Sequence, residues 1–215
     1  MGVFINKVAA LRQLPGLVCY ANVLAACYMC WSGLATLNMT EAAADDDEGT
    51  FAYFAFGSNL LKERLQLANP SATFFSTAQL KDYKLDFGLW GANVGNNWHG
   101  GVATIRESPG SEVWGVVWTL NNDNLGSLDE QEGVGDGQYS PLEVLVESSH
   151  GPIMCRTYQM NNFHACLPSP QYKHVVCRGA EQNGLPVEYR SRLQAVEANN
   201  YTGPSILDRI KTDGH

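Results

Sequence analysis

Glu132 stands out by its spacing. Across residues 121–133, Leu125, Leu128 and Glu132 fall on one stripe of a helix turning about 100° per residue, with Glu130 nearly opposite and Asp129 between. The leucines make that stripe the buried face. A carboxylate on a buried face loses hydration, which is costly without partners and raises its pKa from about 4.3. A raised pKa suits a general base or proton shuttle at neutral pH. The ordinary alternative is an acid that ends the helix at a wet rim, and spacing alone leaves both open.

A second stretch, Phe56-Gly57-Ser58-Asn59-Leu60, joins a strand pattern to a helix pattern. Gly57 lets the backbone turn and lets a ligand approach closely. The N–H groups opening the next helix lack intrahelical partners and favour an anion, a carboxylate or a phosphate. The ordinary alternative is an N-cap supplied by Ser58 or Asn59. Other candidates carry less. His99 in Trp98-His99-Gly100-Gly101 fits a structural turn, and His150, His164 and His174 lack zinc-ligand spacing. No nucleophile elbow, dinucleotide fingerprint or P-loop occurs. Cys155 beside Arg156 could be an activated thiol, but a cysteine in a strand pattern is usually packing.

Elements must position these residues. Residues 51–56 form a short apolar, aromatic run, hence a buried strand. Residues 60–68 read as a helix stopped by Asn69-Pro70. Strands are expected at 80–87, 101–105, 112–120, 142–147 and 153–160, with a long Gly- and Asn-containing loop between Phe87 and Trp98. Helices are expected at 121–132, N-capped by Asn121 or Asn122 and closed by Gly133, and at 187–198. Many short strands and few helices indicate an α+β domain built on a small barrel or curled sheet.

A chain of 215 residues allows one ordinary domain with an appendage. The net charge of -8, without basic clusters, argues against a nucleic-acid partner. Of six cysteines, Cys155, Cys166 and Cys177 lie in the body, an odd set without a C-x-x-C pair, and read as reduced thiols.

Residues 1–50 are set apart from the domain at 51–215. No charge occurs between Arg12 and Glu41, and residues 17–37 are apolar over a length that spans a ~30 Å hydrocarbon core as a helix. Lys7 and Arg12 before it and Asp45-Asp46-Asp47-Glu48 after it would place the domain outside. Gly33-Leu34-Ala35 offers a signal-peptide cleavage point. Alternatively Met39 is the start in use, leaving a short acidic leader that buries no core. The sequons at Asn38 and Asn200 matter only on a secretory route.

The two chemical stretches belong to a longer series. Tyr53-Phe54-Ala55-Phe56-Gly57-Ser58-Asn59-Leu60 resembles the Y-G-S-N-L signature of the γ-glutamylcyclotransferase family, and Asp129-Glu130-Gln131-Glu132-Gly133 resembles its D-x-x-E-G segment. The likeness continues through Asn69-Pro70-Ser71, Lys84-Leu85-Asp86-Phe87-Gly88, Trp98-His99-Gly100-Gly101, Glu112-Val113-Trp114-Gly115-Val116-Val117-Trp118 and Pro168-Ser169-Pro170-Gln171-Tyr172-Lys173, over residues 51–203.

The resemblance implies a mixed β-barrel with flanking helices, working without metal or cofactor, as a cytoplasmic enzyme and often a homodimer. It implies that the α-amine of a γ-glutamyl amino acid attacks its own γ-carbonyl, releasing 5-oxoproline and a free amino acid, a step of glutathione metabolism. By position, Glu132 matches the family's base. Tyr53, Phe54, Ala55, Phe56, Gly57, Ser58 and Asn59 match the loop that holds the glutamyl portion, and Tyr139 and Tyr158 match tyrosines that line the pocket. Phe56 departs from the family's usual Tyr, removing a phenol able to hold the substrate or Ser58. Alternatives are a sibling activity on glutathione or γ-glutamyl-lysine, or a binding protein of the same fold, membrane-anchored if residues 14–38 are retained. A start at Met39 would reproduce the family's short polar leader.

Overall fold

The computed structural model describes residues 49–92 and 95–204. The expectations for the apolar segment and acidic leader fall outside these residues. Five strands close on themselves: β1 (Thr50–Ala55), β2 (Thr73–Leu89), β3 (Val102–Asn121), β4 (Tyr139–Ser148) and β5 (Gly151–Met160), in the ring order β1-β5-β4-β2-β3 and back to β1. Neighbours are antiparallel except β1 and β5, which run parallel with Tyr53 opposite Arg156. A two-residue strand, β6 (His164–Ala165), pairs with the end of β2. Around the ring lie α1 (Lys62–Gln66), α2 (Leu125–Gln131), α3 (Pro170–Gln182) and α4 (Val187–Ala195). The fold is the small mixed barrel with flanking helices that the resemblance implies.

β1 and β3, rich in β-branched and aromatic residues, are buried on both faces, and Phe54, Ile105, Val113, Trp118 and Leu120 are fully buried. Each such side chain contributes about 1.5–3 kcal/mol by leaving water. Trp118 also directs the site, since its indole N–H donates to the Asn59 carbonyl at 3.1 Å.

Several expectations change. The strands expected at 101–105 and 112–120 are two halves of β3, both paired with β2. Between them Ser108-Pro109-Gly110-Ser111 forms a bulge, with Gly110 at φ 79 and Asp82 opposite at φ 61. The Gly110 N–H donates to Asp82 Oδ1 at 2.8 Å, so the Pro-Gly break is absorbed inside one strand. The helix expected at 121–132 begins as a 3-10 turn, Asn122–Asn124, before α2, and no Asn side chain caps it. Leu125 is 36% exposed whereas Leu128 is fully buried, so Leu128 alone anchors α2 in the core. The helix expected at 60–68 is a 3-10 turn, Ser58–Leu60, followed by α1.

Helix α3 was not anticipated. Ser169 caps it by accepting from the Tyr172 N–H at 3.2 Å, and Pro170 takes the first position. Gly179 lets α3 press onto the chain at Leu60, where an added Cβ would meet the Leu60 carbonyl carbon at 2.6 Å. Asn183 Nδ2 then donates to the Leu60 carbonyl at 2.8 Å. Cys155, Cys166 and Cys177 are free thiols. Among the described residues, no helix is long and apolar enough to cross a membrane.

Candidate active site

Glu132 follows the last residue of α2 and faces a cavity of about 410 Å³. The residue is half-buried while its carboxyl is deeply enclosed. Burial pushes that carboxyl up to about 7. The Arg64 charge and the Tyr53 hydroxyl pull it down, and the Asp129 charge adds to the rise.

Donors of β1 and the following turn converge on Glu132. Asn59 Nδ2 donates to Oε1 at 3.0 Å and to the Tyr53 hydroxyl at 3.0 Å, and that hydroxyl lies 3.4 Å from Oε1. Burial, then the Glu132 charge, holds the Tyr53 phenol well above its ordinary range, so it remains a neutral donor. The orientation of Asn59 is itself fixed. Gln131 Nε2 donates to Asn59 Oδ1 at 2.7 Å, Asn69 Nδ2 to Gln131 Oε1 at 2.9 Å, and Ser127 Oγ to Asn69 Oδ1 at 2.8 Å. Each acceptor in this run is matched by a donor, which leaves the Asn59 NH2 aimed at the carboxylate.

Tyr139 and Tyr158 line the cavity with hydroxyls already engaged by protein. Tyr139 donates to the Ala103 carbonyl at 2.8 Å. Tyr158 donates to Asp129 Oδ1 at 2.5 Å and accepts from Arg156 Nε at 2.9 Å, and Arg156 Nη2 holds Asp129 at 2.8 and 3.0 Å. The Tyr158 ring meets the Tyr53 ring edge-on at 6.0 Å.

Tyr53, Phe56, Gly57, Ser58 and Asn59 also line the cavity. Phe54 and Ala55, assigned to the substrate loop by the resemblance, are not among the residues that line it. Both are fully buried in the core, with the Phe54 ring against Gly115. Ser58 and Asn59 cap no helix. Gly57 is needed for close packing, since an added Cβ would lie 2.9 Å from Ala103 Cβ and 3.0 Å from the Tyr172 hydroxyl. That hydroxyl, raised to about 12 by burial, accepts from the Ala103 N–H at 2.9 Å and meets both the N–H and the hydroxyl of Ser58. Tyr172, Arg64, Trp98 and Gln131 are cavity residues that the sequence reading did not single out.

The weaker candidates are structural. His99 has φ 57 and stacks on Tyr201 at 4.1 Å. Cys155 is buried, its thiol pushed up to about 12. No group of three His, Cys, Asp or Glu among the described residues is placed to hold a metal. What the cavity offers is a carboxyl poised near neutrality beside amide and phenol donors, able to take a proton and return it.

Comparison with known proteins agrees with this geometry. The profile of the AIG2-like family matches residues 112–193. The chain is 57% identical over 169 residues to a gamma-glutamylcyclotransferase of Homo sapiens, covering 77% of this chain and 90% of that one. It is 54% identical over 175 residues to one of Bos taurus, covering 80% and 93%. The chain belongs to the gamma-glutamylcyclotransferase family. A solved gamma-glutamyl cyclotransferase matches with TM-score 0.72 at 55% identity, covering 76% of this chain and 99% of that one. A Bacillus subtilis protein, YkqA, matches with TM-score 0.58 at 24% identity, covering 70% and 56%, and shares the fold. A phenol does stand near Ser58 in this chain, that of Tyr172 on α3.

Proposed function

We propose that this chain cyclises γ-glutamyl amino acids, releasing 5-oxoproline and a free amino acid, with Glu132 as general base. The observation that carries the reading is the Glu132 carboxyl, raised to about 7 by burial and held by Asn59 at 3.0 Å inside a cavity sized for a dipeptide. The substrate's α-amine attacks its own γ-carbonyl, a C–N bond forms, and the amide C–N bond breaks. The attacking amine loses a proton to Glu132, and the departing nitrogen receives one from it. Holding amine and carbonyl in contact supplies much of the acceleration, so no enzyme nucleophile is required. The turn at residues 57–59 is assigned to the glutamyl portion and the developing oxyanion.

Incubation with γ-Glu-Ala, with 5-oxoproline quantified, tests the reading, and Glu132→Gln serves as control. Wild-type chain that releases no 5-oxoproline, or a variant with normal turnover, would sink it. Competition by glutathione and γ-glutamyl-lysine separates the sibling activities. The reading extends to a cytoplasmic homodimer serving glutathione metabolism. It rests there on the resemblance alone, and fractionation with light scattering checks it.

A further inference from the structure

Two ionisable side chains of opposite sign face the cavity, Glu132 and Arg64. Arg64 projects from α1, whose neighbours Lys62 and Glu63 are exposed, and is itself half-buried. Its guanidinium carbon lies 6.0 Å from the centre of the Trp98 ring, which also lines the cavity. Among the described residues, its side chain makes no ion pair and no hydrogen bond, unlike Arg156, whose Nη2 donates to both carboxylate oxygens of Asp129. A half-buried guanidinium presents planar donors that match a carboxylate, and none of the described residues supplies one. The Arg64 charge acts on Glu132 without forming an ion pair with it, so space remains between them.

We infer that Arg64 receives the carboxylate of the departing amino acid. This rests on the cyclisation proposed above and adds a subsite to it. The glutamyl portion must reach Glu132 with both its amine and its γ-carbonyl, so it occupies the inner cavity. The departing residue extends outward. Arg64 reaches the cavity from α1, where Lys62 and Glu63 beside it are exposed, and its guanidinium lies near Trp98, so it is assigned to that outward portion. The carboxylate of the departing residue lies only two bonds from the nitrogen that Glu132 protonates, which matches a cation near the base but not on it.

The test compares γ-Glu-Ala with γ-glutamyl-ethylamide, which has the same leaving amine without its carboxylate. Wild-type enzyme prefers γ-Glu-Ala. In Arg64→Met the ratio of kcat/KM between the two substrates falls about 10- to 100-fold, the loss of charged hydrogen bonds. Arg64→Lys, a point charge without the fork, gives an intermediate ratio. The ratio cancels any change in folded fraction and any effect of Arg64 on Glu132, since both substrates share them. An unchanged ratio with turnover of both substrates overturns the subsite and leaves the cyclisation standing. A wild-type chain that turns over neither overturns the cyclisation and the subsite with it.

Discussion

Asn59 donates to Glu132 and to Tyr53 from one amide nitrogen, at 3.0 Å each, and so ties the turn after β1 to the end of α2. A donor to a carboxylate favours its ionised form. Gln131 keeps that donor aimed by filling Asn59 Oδ1 at 2.7 Å. Gln131→Met removes this partner without adding charge. The acidic limb of the pH–rate profile is expected to move up by roughly half a unit to one unit. A limb that stays in place would show that Asn59 keeps its orientation unaided.

The base itself sets a second expectation. Burial raises Glu132 to about 7, and the base is active only when ionised. kcat/KM on γ-Glu-Ala therefore rises with pH and levels off above about 7. Glu132→Gln lowers turnover by about 10²- to 10⁴-fold with the fold kept, read by circular dichroism beside the assay.

The same burial affects stability. Folding raises the carboxyl from 4.5 to about 7, so the folded chain binds its proton more tightly than the unfolded chain. The stability from that proton is present below about 4.5 and is lost as pH rises through about 7. Glu132→Gln has no such loss, and is expected to exceed wild type by up to about 3 kcal/mol at pH near 8 and to match it near pH 4. Urea unfolding at the two pH values measures this. Equal stability at both would mean that the ionised carboxyl costs the fold nothing.

Phe56 and Tyr172 can be separated by exchange. The Tyr172 hydroxyl touches Ala103 and Ser58, while Phe56 contributes a ring that is 7% exposed. Tyr172→Phe leaves the Ala103 N–H without a partner and is expected to cost about 1–3 kcal/mol of stability and to lower turnover. Phe56→Tyr is expected to change kcat/KM by less than about threefold, because Ser58 already has a phenol beside it. A tenfold gain in Phe56→Tyr would return the missing hydroxyl to the substrate.

What the sequence disclosed followed from local rules. The aromatic run of β1, the Gly57 break and the Leu128 to Glu132 spacing are read within a few residues, and the structure brings Tyr53, Phe56, Gly57 and Glu132 from them to one cavity. Leu125 departs from the pattern: it is the first residue of α2, directly after the 3-10 turn at Asn122–Asn124, and is 36% exposed. β3 was divided in reading because Pro109-Gly110 is a strong stop signal, and only pairing with β2 across the bulge shows one strand. Phe54 was grouped with its neighbours, although alternation along β1 sends its ring onto Gly115. Helix α3 carried its own signal in Ser169-Pro170, a cap followed by proline at the first position. Tyr172 could have been found through it. The Asn69, Gln131 and Asn59 amides meet only in three dimensions, and no spacing announces them.

The ring closes where β1 meets β5, with Tyr53 opposite Arg156. These are also the residues that touch Glu132 and hold Asp129. Closure of the ring and the placing of a donor at the base thus share Tyr53, and both join residues far apart in the chain, the kind of contact that slows folding. A chain in which β1 has not met β5 lacks the fixed place of Tyr53 beside Glu132. Recovery of enzymatic activity during refolding is therefore expected to report barrel closure and to run behind the spectroscopic signal of secondary structure.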